Sequence, residues 1–125
     1  MKTHKDLDVW KDSICLVVEL YRLTKEFPRD ELYGMTSQIR RAAVSVSANI
    51  TEGSARGYSI EFTRYLRIAQ ASLAELETLL IISSQLDYLK EDRFKIIQGK
   101  IFKINAQLSG LLKFLKKCVN QQAPL

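Results

Sequence analysis

The sequence predicts an all-α protein: an antiparallel up-down-up-down four-helix bundle forming one domain over residues 1–125. Three observations carry this expectation. Apolar residues recur at three- and four-residue spacing along nearly the whole chain, and no stretch alternates with the period of two that marks a strand. The breaks between periodic segments are few and short: "FPRDELYG", "GYS" and "LDYLKED". Composition is globular, with 46% hydrophobic and 26% charged residues and only two prolines and five glycines, which excludes disorder and low-complexity repeats. A chain of 125 residues is long enough to bury one core.

The first helix is expected over about 8–26. Leu7, Trp10, Ile14, Val17 and Tyr21 form one stripe, and Val9, Leu16, Leu20, Leu23 and Phe27 a second. Pro28 ends it, because the residue before a proline is pushed out of the α region. The second helix is expected over about 31–56, with Met35, Ile39, Ala43, Val46 and Ile50 as its stripe and Gly34 weakening its first turn. Gly57 suits the position after a helix end and Ser59 an N-cap, so "GYS" joins this helix to an antiparallel neighbour over about 60–86. There Phe62, Leu66, Ala69, Leu73, Leu76 and Leu80 share a seam. The fourth helix is expected over about 91–119, where Phe94, Ile97, Ile101, Ile104, Leu108, Leu111 and Leu115 make an unbroken heptad seam. The tail "NQQAPL" is expected to fray. Apolar residues beyond one seam, such as Ile68, Leu79, Ile82, Ile96, Phe102, Leu112 and Phe114, point to a second buried surface and self-association. A merely wide core stripe is the alternative.

Lysine and arginine outnumber aspartate and glutamate 19 to 14, a net charge of +5, and the excess is local. Residues 90–125 hold Lys90, Arg93, Lys95, Lys100, Lys103, Lys113, Lys116 and Lys117 against only Glu91 and Asp92. A solvated face accounts for this simply, whereas an anionic partner, nucleic acid or a membrane surface, is the sharper reading. No window is apolar enough to span a membrane. The start, "MKTHKDLDVWKD", has no apolar run, so no signal peptide is expected and the cytoplasm is the expected compartment. Cys15 and Cys118 are then expected reduced, with Cys15 packing as a small hydrophobe.

The stretch "SANITEGSARGYS" is small, polar and flanked by apolar patterns. At about 100° per residue, Arg41, Ser45, Asn49, Glu52 and Arg56 share one sector of the second helix, beside its apolar stripe. On the third helix Glu61, Tyr65, Ile68, Ser72, Glu75, Leu79 and Ile82 follow at four- and three-residue steps. Glu75 interrupts a mostly apolar row, and a carboxylate there needs a partner if buried. Arg41 is the expected partner, with Ser45, Asn49 and Ser72 completing a register-fixing network. This structural polar cluster lies between helices two and three or at a subunit interface.

Chemistry finds little support. "NIT" at Asn49–Thr51 matches a glycosylation acceptor but falls mid-helix in a chain expected to be cytoplasmic. "EGSARG" lacks the nucleotide-loop patterns and follows a helix instead of a strand. With His4 the one histidine, paired Glu-x-x-His metal motifs are impossible, and structural zinc lacks ligands. No catalytic residue, metal or cofactor is expected, and the protein is expected not to be an enzyme.

The stretch "QIRRAAVSVSANITEGSARGYSIEFTRYLRIAQASLAELETLL" resembles the bacterial four-helix-bundle family whose genes lie in 23S rRNA intervening sequences. The family pattern falls on Gln38, Arg41, Ala42 and Ser45, on Asn49, Ile50, Glu52 and Gly53, and on Arg56, Glu61 and Phe62. It closes on Ser72, Leu73, Glu75, Leu76 and Glu77. "DLDVWKDS", "FPRDELYG" and "LDYL" fit as well, so the resemblance covers nearly the whole chain. Gln70-Ala71, where glycine is common in the family, and Ser54, where larger residues often sit, depart from it. The resemblance implies a fold and an assembly more than an activity, since family members are generally of unknown biochemical function. Relatives that act as accessory proteins of diversity-generating retroelements form pentameric, surface-basic barrels that bind nucleic acid and a reverse transcriptase. A homopentamer is therefore the assembly that the resemblance implies.

The leading expectation is a non-enzymatic, nucleic-acid-associated oligomer contacting RNA or DNA phosphates without base readout. Its contact candidates are Arg40, Arg64, Arg67, Lys95, Lys103, Lys113, Lys116 and Lys117. The alternative is a protein-interaction scaffold or accessory subunit whose charge serves solubility.

Overall fold

The computed structural model describes residues 3–120, and among these all regular structure is helical. Four long helices, α1 (Asp8–Thr24), α2 (Met35–Ala55), α3 (Ser59–Gln85) and α4 (Glu91–Asn120), form a four-helix bundle. Two 3-10 turns, His4–Asp6 and Arg29–Glu31, precede α1 and α2. The terminal tail expected to fray lies, from residue 121 on, outside the described residues.

The predicted seams meet at the centre. Leu20, Ile39, Val46, Ile50, Leu66, Leu73, Leu76, Leu80, Ile97, Ile104, Leu108 and Leu115 are almost wholly excluded from solvent. Each such side chain contributes roughly 1.5–3 kcal/mol on burial. The ion pairs sit at the surface, where a pair is worth about 0–1 kcal/mol, so the apolar seams carry the fold. On α1 the core row is Val9, Leu16, Leu20 and Leu23; Leu7, Trp10 and Val17 pack beside it, while Tyr21 is exposed.

Polar contacts set the register of each helix pair. Trp10 Nε1 donates to Thr51 Oγ1 at 2.9 Å, and Arg40 Nε donates to Thr24 Oγ1 at 2.9 Å, so α1 and α2 are pinned near both ends. Between α1 and α4, Gln107 donates to Asp12 at 2.9 Å, Lys103 pairs with Asp12 at 3.4 Å, and Lys100 pairs with Glu19. Gln70 Nε2 reaches Ser109 Oγ of α4 at 3.1 Å. The α2 and α3 backbones come close at Gly53. A Cβ added at Gly53 would lie 2.6 Å from Tyr65 Cβ, closer than real carbon atoms approach, and a tight 3.0 Å from Phe62 Cδ1.

Several boundaries differ from expectation, each for a local reason. Helix one ends at Thr24, not 26: Glu26 N and Phe27 N bond back to the Leu23 and Thr24 carbonyls as the chain tightens ahead of Pro28. Helix two starts at Met35, not 31, because Glu31 serves as its cap from outside. The Glu31 carboxylate accepts the Met35 N–H at 3.2 Å, and a Cβ on Gly34 would stand 2.6 Å from that same oxygen. Ser59 is not an N-cap; Tyr58 occupies that place without a side-chain bond, and Ser59 is a buried first residue of α3. Gly57 takes the left-handed φ of +82° expected at a helix end. Asp87, at φ +63°, makes the corresponding reversal after α3. Residues 3–6 form a 3-10 turn closed by Thr3 and Asp6, and His4 stacks edge-on against Trp10 at 5.3 Å. Cys15 is exposed, not packed, because the core row of α1 runs through its neighbour Leu16.

The α1–α2 and α3–α4 connections touch. Tyr88 donates to the second oxygen of Glu31 at 2.9 Å, and its ring lies 5.5 Å from that of Phe27. The bond to Glu31, followed by burial and the charges of Glu31 and Asp30, raises the Tyr88 phenol above its ordinary value near 10.

Two outcomes are expected. Gly53→Ala forces α2 and α3 apart and lowers unfolding free energy by about 1–3 kcal/mol, read by chemical denaturation. The neutral Tyr88 phenol is favoured by folding, so its contribution is complete below the unfolded tyrosine value and vanishes as pH rises through the higher folded value. Above pH about 10 wild-type stability should therefore fall, and Glu31→Gln should move the phenol titration, followed by ultraviolet absorbance, back toward its ordinary position.

Candidate functional site

The α2–α3 signature sector folds into two polar groups. In the first, the hydroxyls of Ser45 and Ser72 share a hydrogen bond of 2.8 Å across the helices. Asn49 Nδ2 donates to the Ser45 carbonyl at 2.7 Å and to its Oγ at 3.0 Å. In the second, one turn along, the Arg56 guanidinium donates to Glu52 at 3.1 Å and to the Tyr65 hydroxyl at 2.8 Å, lying 5.3 Å from the Tyr65 ring centre. The Glu52 carboxylate, and after it the Tyr65 phenol, hold Arg56 above its ordinary value. Gly53 makes this possible: with no side chain there, Tyr65 comes near enough for its hydroxyl to reach Glu52 and Arg56.

Five of the seven residues expected in the polar cluster are thus brought together in two sets: Ser45, Asn49 and Ser72, and Glu52 with Arg56. Arg41 and Glu75 are not part of either. Both are exposed, and no ion pair joins them among the described residues. The carboxylate expected to need a buried partner sits in water, where it needs none. The Asn49–Thr51 sequon is also engaged internally, with Thr51 donating to the Ser47 carbonyl at 3.0 Å and accepting from Trp10.

The predicted cations separate by what holds them. Arg40 is tied to α1, where it bonds Thr24 and the Tyr21 carbonyl and covers the Tyr21 ring at 4.6 Å. Lys95 pairs with Glu91 at 3.5 Å, Lys103 with Asp12 at 3.4 Å, and Arg64 loosely with Glu61 at 4.0 Å. Arg67, Lys113, Lys116 and Lys117 are exposed and enter no ion pair among the described residues. Three of these four, Arg67, Lys113 and Lys116, converge on one open groove of about 530 Å³ between α3 and α4. Ile60, Thr63 and Gln70 line it from α3, Ser109 and Leu112 from α4. The Thr63 hydroxyl is shut off from water and has no hydrogen-bond partner. Sequence reasoning named the cations but missed the groove; Ile60, Thr63, Arg67 and Gln70 recur at three- and four-residue steps, a row legible only once α4 is known to flank it.

The apolar surplus also divides. Leu79 is buried in the core, so it belongs to a wide stripe. Ile68 and Ile82 on α3 and Ile96, Phe102 and Phe114 on α4 stand exposed, Phe102 at 77%. Among the described residues, no helix is long and apolar enough to cross a membrane, and no group of His, Cys, Asp and Glu is placed to hold a metal ion.

The family model for the 23S rRNA-intervening sequence protein matches residues 5–110. A crystal structure of a protein of unknown function from the S23 ribosomal protein family of Bacteroides thetaiotaomicron VPI-5482 has a similar fold, with a TM-score of 0.78. The two are 25% identical, over 84% of this chain and 95% of that one. No curated protein matches.

Removing the inter-helix hydroxyl pair with Ser45→Ala is expected to lower stability by about 1 kcal/mol. Glu75→Gln, at an exposed and unpaired site, should change it by less than about 0.5 kcal/mol; parallel urea titrations would resolve the difference.

Proposed function

This chain belongs to the 23S rRNA-intervening sequence protein family, and from that premise we propose that it is a non-enzymatic, cytoplasmic, nucleic-acid-associated bundle that works as an oligomer. The observation that carries the proposal is the charge of α4. Beyond Asp92 the chain holds no acidic residue, while seven lysines and arginines follow. Acids of α1 and of the first turn of α4 neutralise Lys95, Lys100 and Lys103, which leaves the far half of α4, with Lys113 and Lys117, uncompensated. Lysines at such spacing present point charges to a phosphate backbone and carry no base-reading geometry. The partner would be RNA or DNA bound without sequence preference.

The contacts of Trp10 with Thr51 and of Thr24 with Arg40, in which rising numbers on α1 meet falling numbers on α2, support an up-down-up-down arrangement. The exposed Ile96, Phe102 and Phe114 support self-association, because an aliphatic or aromatic side chain left in water gains about 25 cal/mol per Å² when a neighbour covers it. We take the assembly to be a homopentamer, which would repeat the basic surface five times and raise its field accordingly. A protein partner such as a reverse transcriptase is compatible with this surface.

Fluorescence anisotropy with a labelled single-stranded RNA and a DNA duplex tests the function. Binding is expected at low salt and should weaken steeply as salt rises, with slope proportional to the phosphates contacted. Lys113→Glu with Lys117→Glu should reduce that slope by about two contacts. No binding at low salt would overturn the proposal. Light scattering coupled to size exclusion reads the oligomer, where a monomer at all concentrations would remove the assembly.

A further inference from the structure

The groove between α3 and α4 has a chemistry that phosphate binding does not use. Its aliphatic lining is the exposed Ile60 and the half-buried Leu112, and no aromatic ring lines it on which a base could stack. Its rim is cationic, with Arg67 on the α3 side and Lys113 and Lys116 on the α4 side. No acidic side chain lines it. Its lining runs from Ile60 to Gln70 on α3, ten helical steps or about 15 Å.

We propose that this groove docks an acidic amphipathic helix of a partner protein, about three turns long. A furrow between two packed helices is the shape into which the side-chain ridge of a third helix fits. Aliphatic residues at three- and four-residue spacing on the incoming helix cover Ile60 and Leu112. Carboxylates flanking that row meet Arg67 on one side and Lys113 and Lys116 on the other, where being partly covered makes such pairs worth more than at an open surface. Gln70, already bonded to Ser109 and Asn105 of α4, closes the far end. A nucleic-acid strand would satisfy the cations but leave Ile60 and Leu112 uncovered.

The test uses the full chain and amide chemical shifts of residues 60–70 and 109–116. The probe is an 18-residue peptide with leucines on one helical face and glutamates on both flanks of that face. Two controls carry lysines in place of the glutamates, or a central proline. The acidic peptide is expected to shift the groove amides saturably, while the proline peptide binds about tenfold or more weakly and the lysine peptide leaves these amides unmoved. Arg67→Glu with Lys116→Glu, both exposed and free of internal ion pairs, should weaken the acidic peptide by about tenfold or more and bring in the lysine peptide instead. Equal response to both charge types, shifts confined to surfaces away from the groove, or no response to any peptide would overturn the proposal. So would a uridine 15-mer that shifts these amides while the acidic peptide does not, which would assign the groove to nucleic acid.

Discussion

The distance between α2 and α3 at Gly53 is the constraint on which the rest of the molecule depends. At Gly53 there is no room for a single carbon: the hypothetical Cβ falls 2.6 Å from Tyr65 Cβ. Close packing fixes the axial register as well as the separation, because sliding either helix by one turn would set a real side chain against Tyr65. With that register, Ser45 meets Ser72 and Arg56 meets Tyr65. The orientation of α3 then follows, and with it the row of Ile60, Thr63, Arg67 and Gln70 that α3 turns toward α4. A glycine on one side of α3 thus governs the surface that its other side presents.

Much of the architecture was legible in the sequence because helices announce themselves by period. The core residues of α2, α3 and α4 were expected almost one for one, since a three- and four-residue apolar rhythm has only one face to bury. Helix ends were less legible. The Glu31 cap lies four residues ahead of the helix that it serves, and nothing in "RDELYG" separates a helical glutamate from one that reaches forward past a glycine to cap the helix start. Cys15 misled because small apolar residues are usually buried, yet on α1 the core row passes through Leu16 beside it.

The polar signature shows the limit of reading spacing alone. Arg41 and Glu75 lie in the right sectors to pair, but helical phase says nothing about depth, and at both positions the side chains extend into water. Ser45, Asn49 and Ser72 lie deeper, and their short side chains can meet only because α2 and α3 are close. The row of cations illustrates the same point. Arg40, Lys95 and Lys113 look alike in sequence, whereas in the fold one braces a helix end, one is neutralised within its own helix, and one is free. Only knowledge of the neighbours separates structural charge from charge available to a partner.

The clasp of Glu31 and Tyr88 bears on the order of events as the chain folds. Its partners are 57 residues apart, and neither can be in place until its own helical hairpin has turned. Each hairpin can form from contacts local in sequence, which is the fast route to structure; the clasp belongs to a later stage, when one hairpin docks on the other. The carboxylate also serves the α2 N-terminus, so opening at this end of the bundle would release a helix start and a turn together. Two connections that look like independent surface loops therefore behave as one cooperative unit.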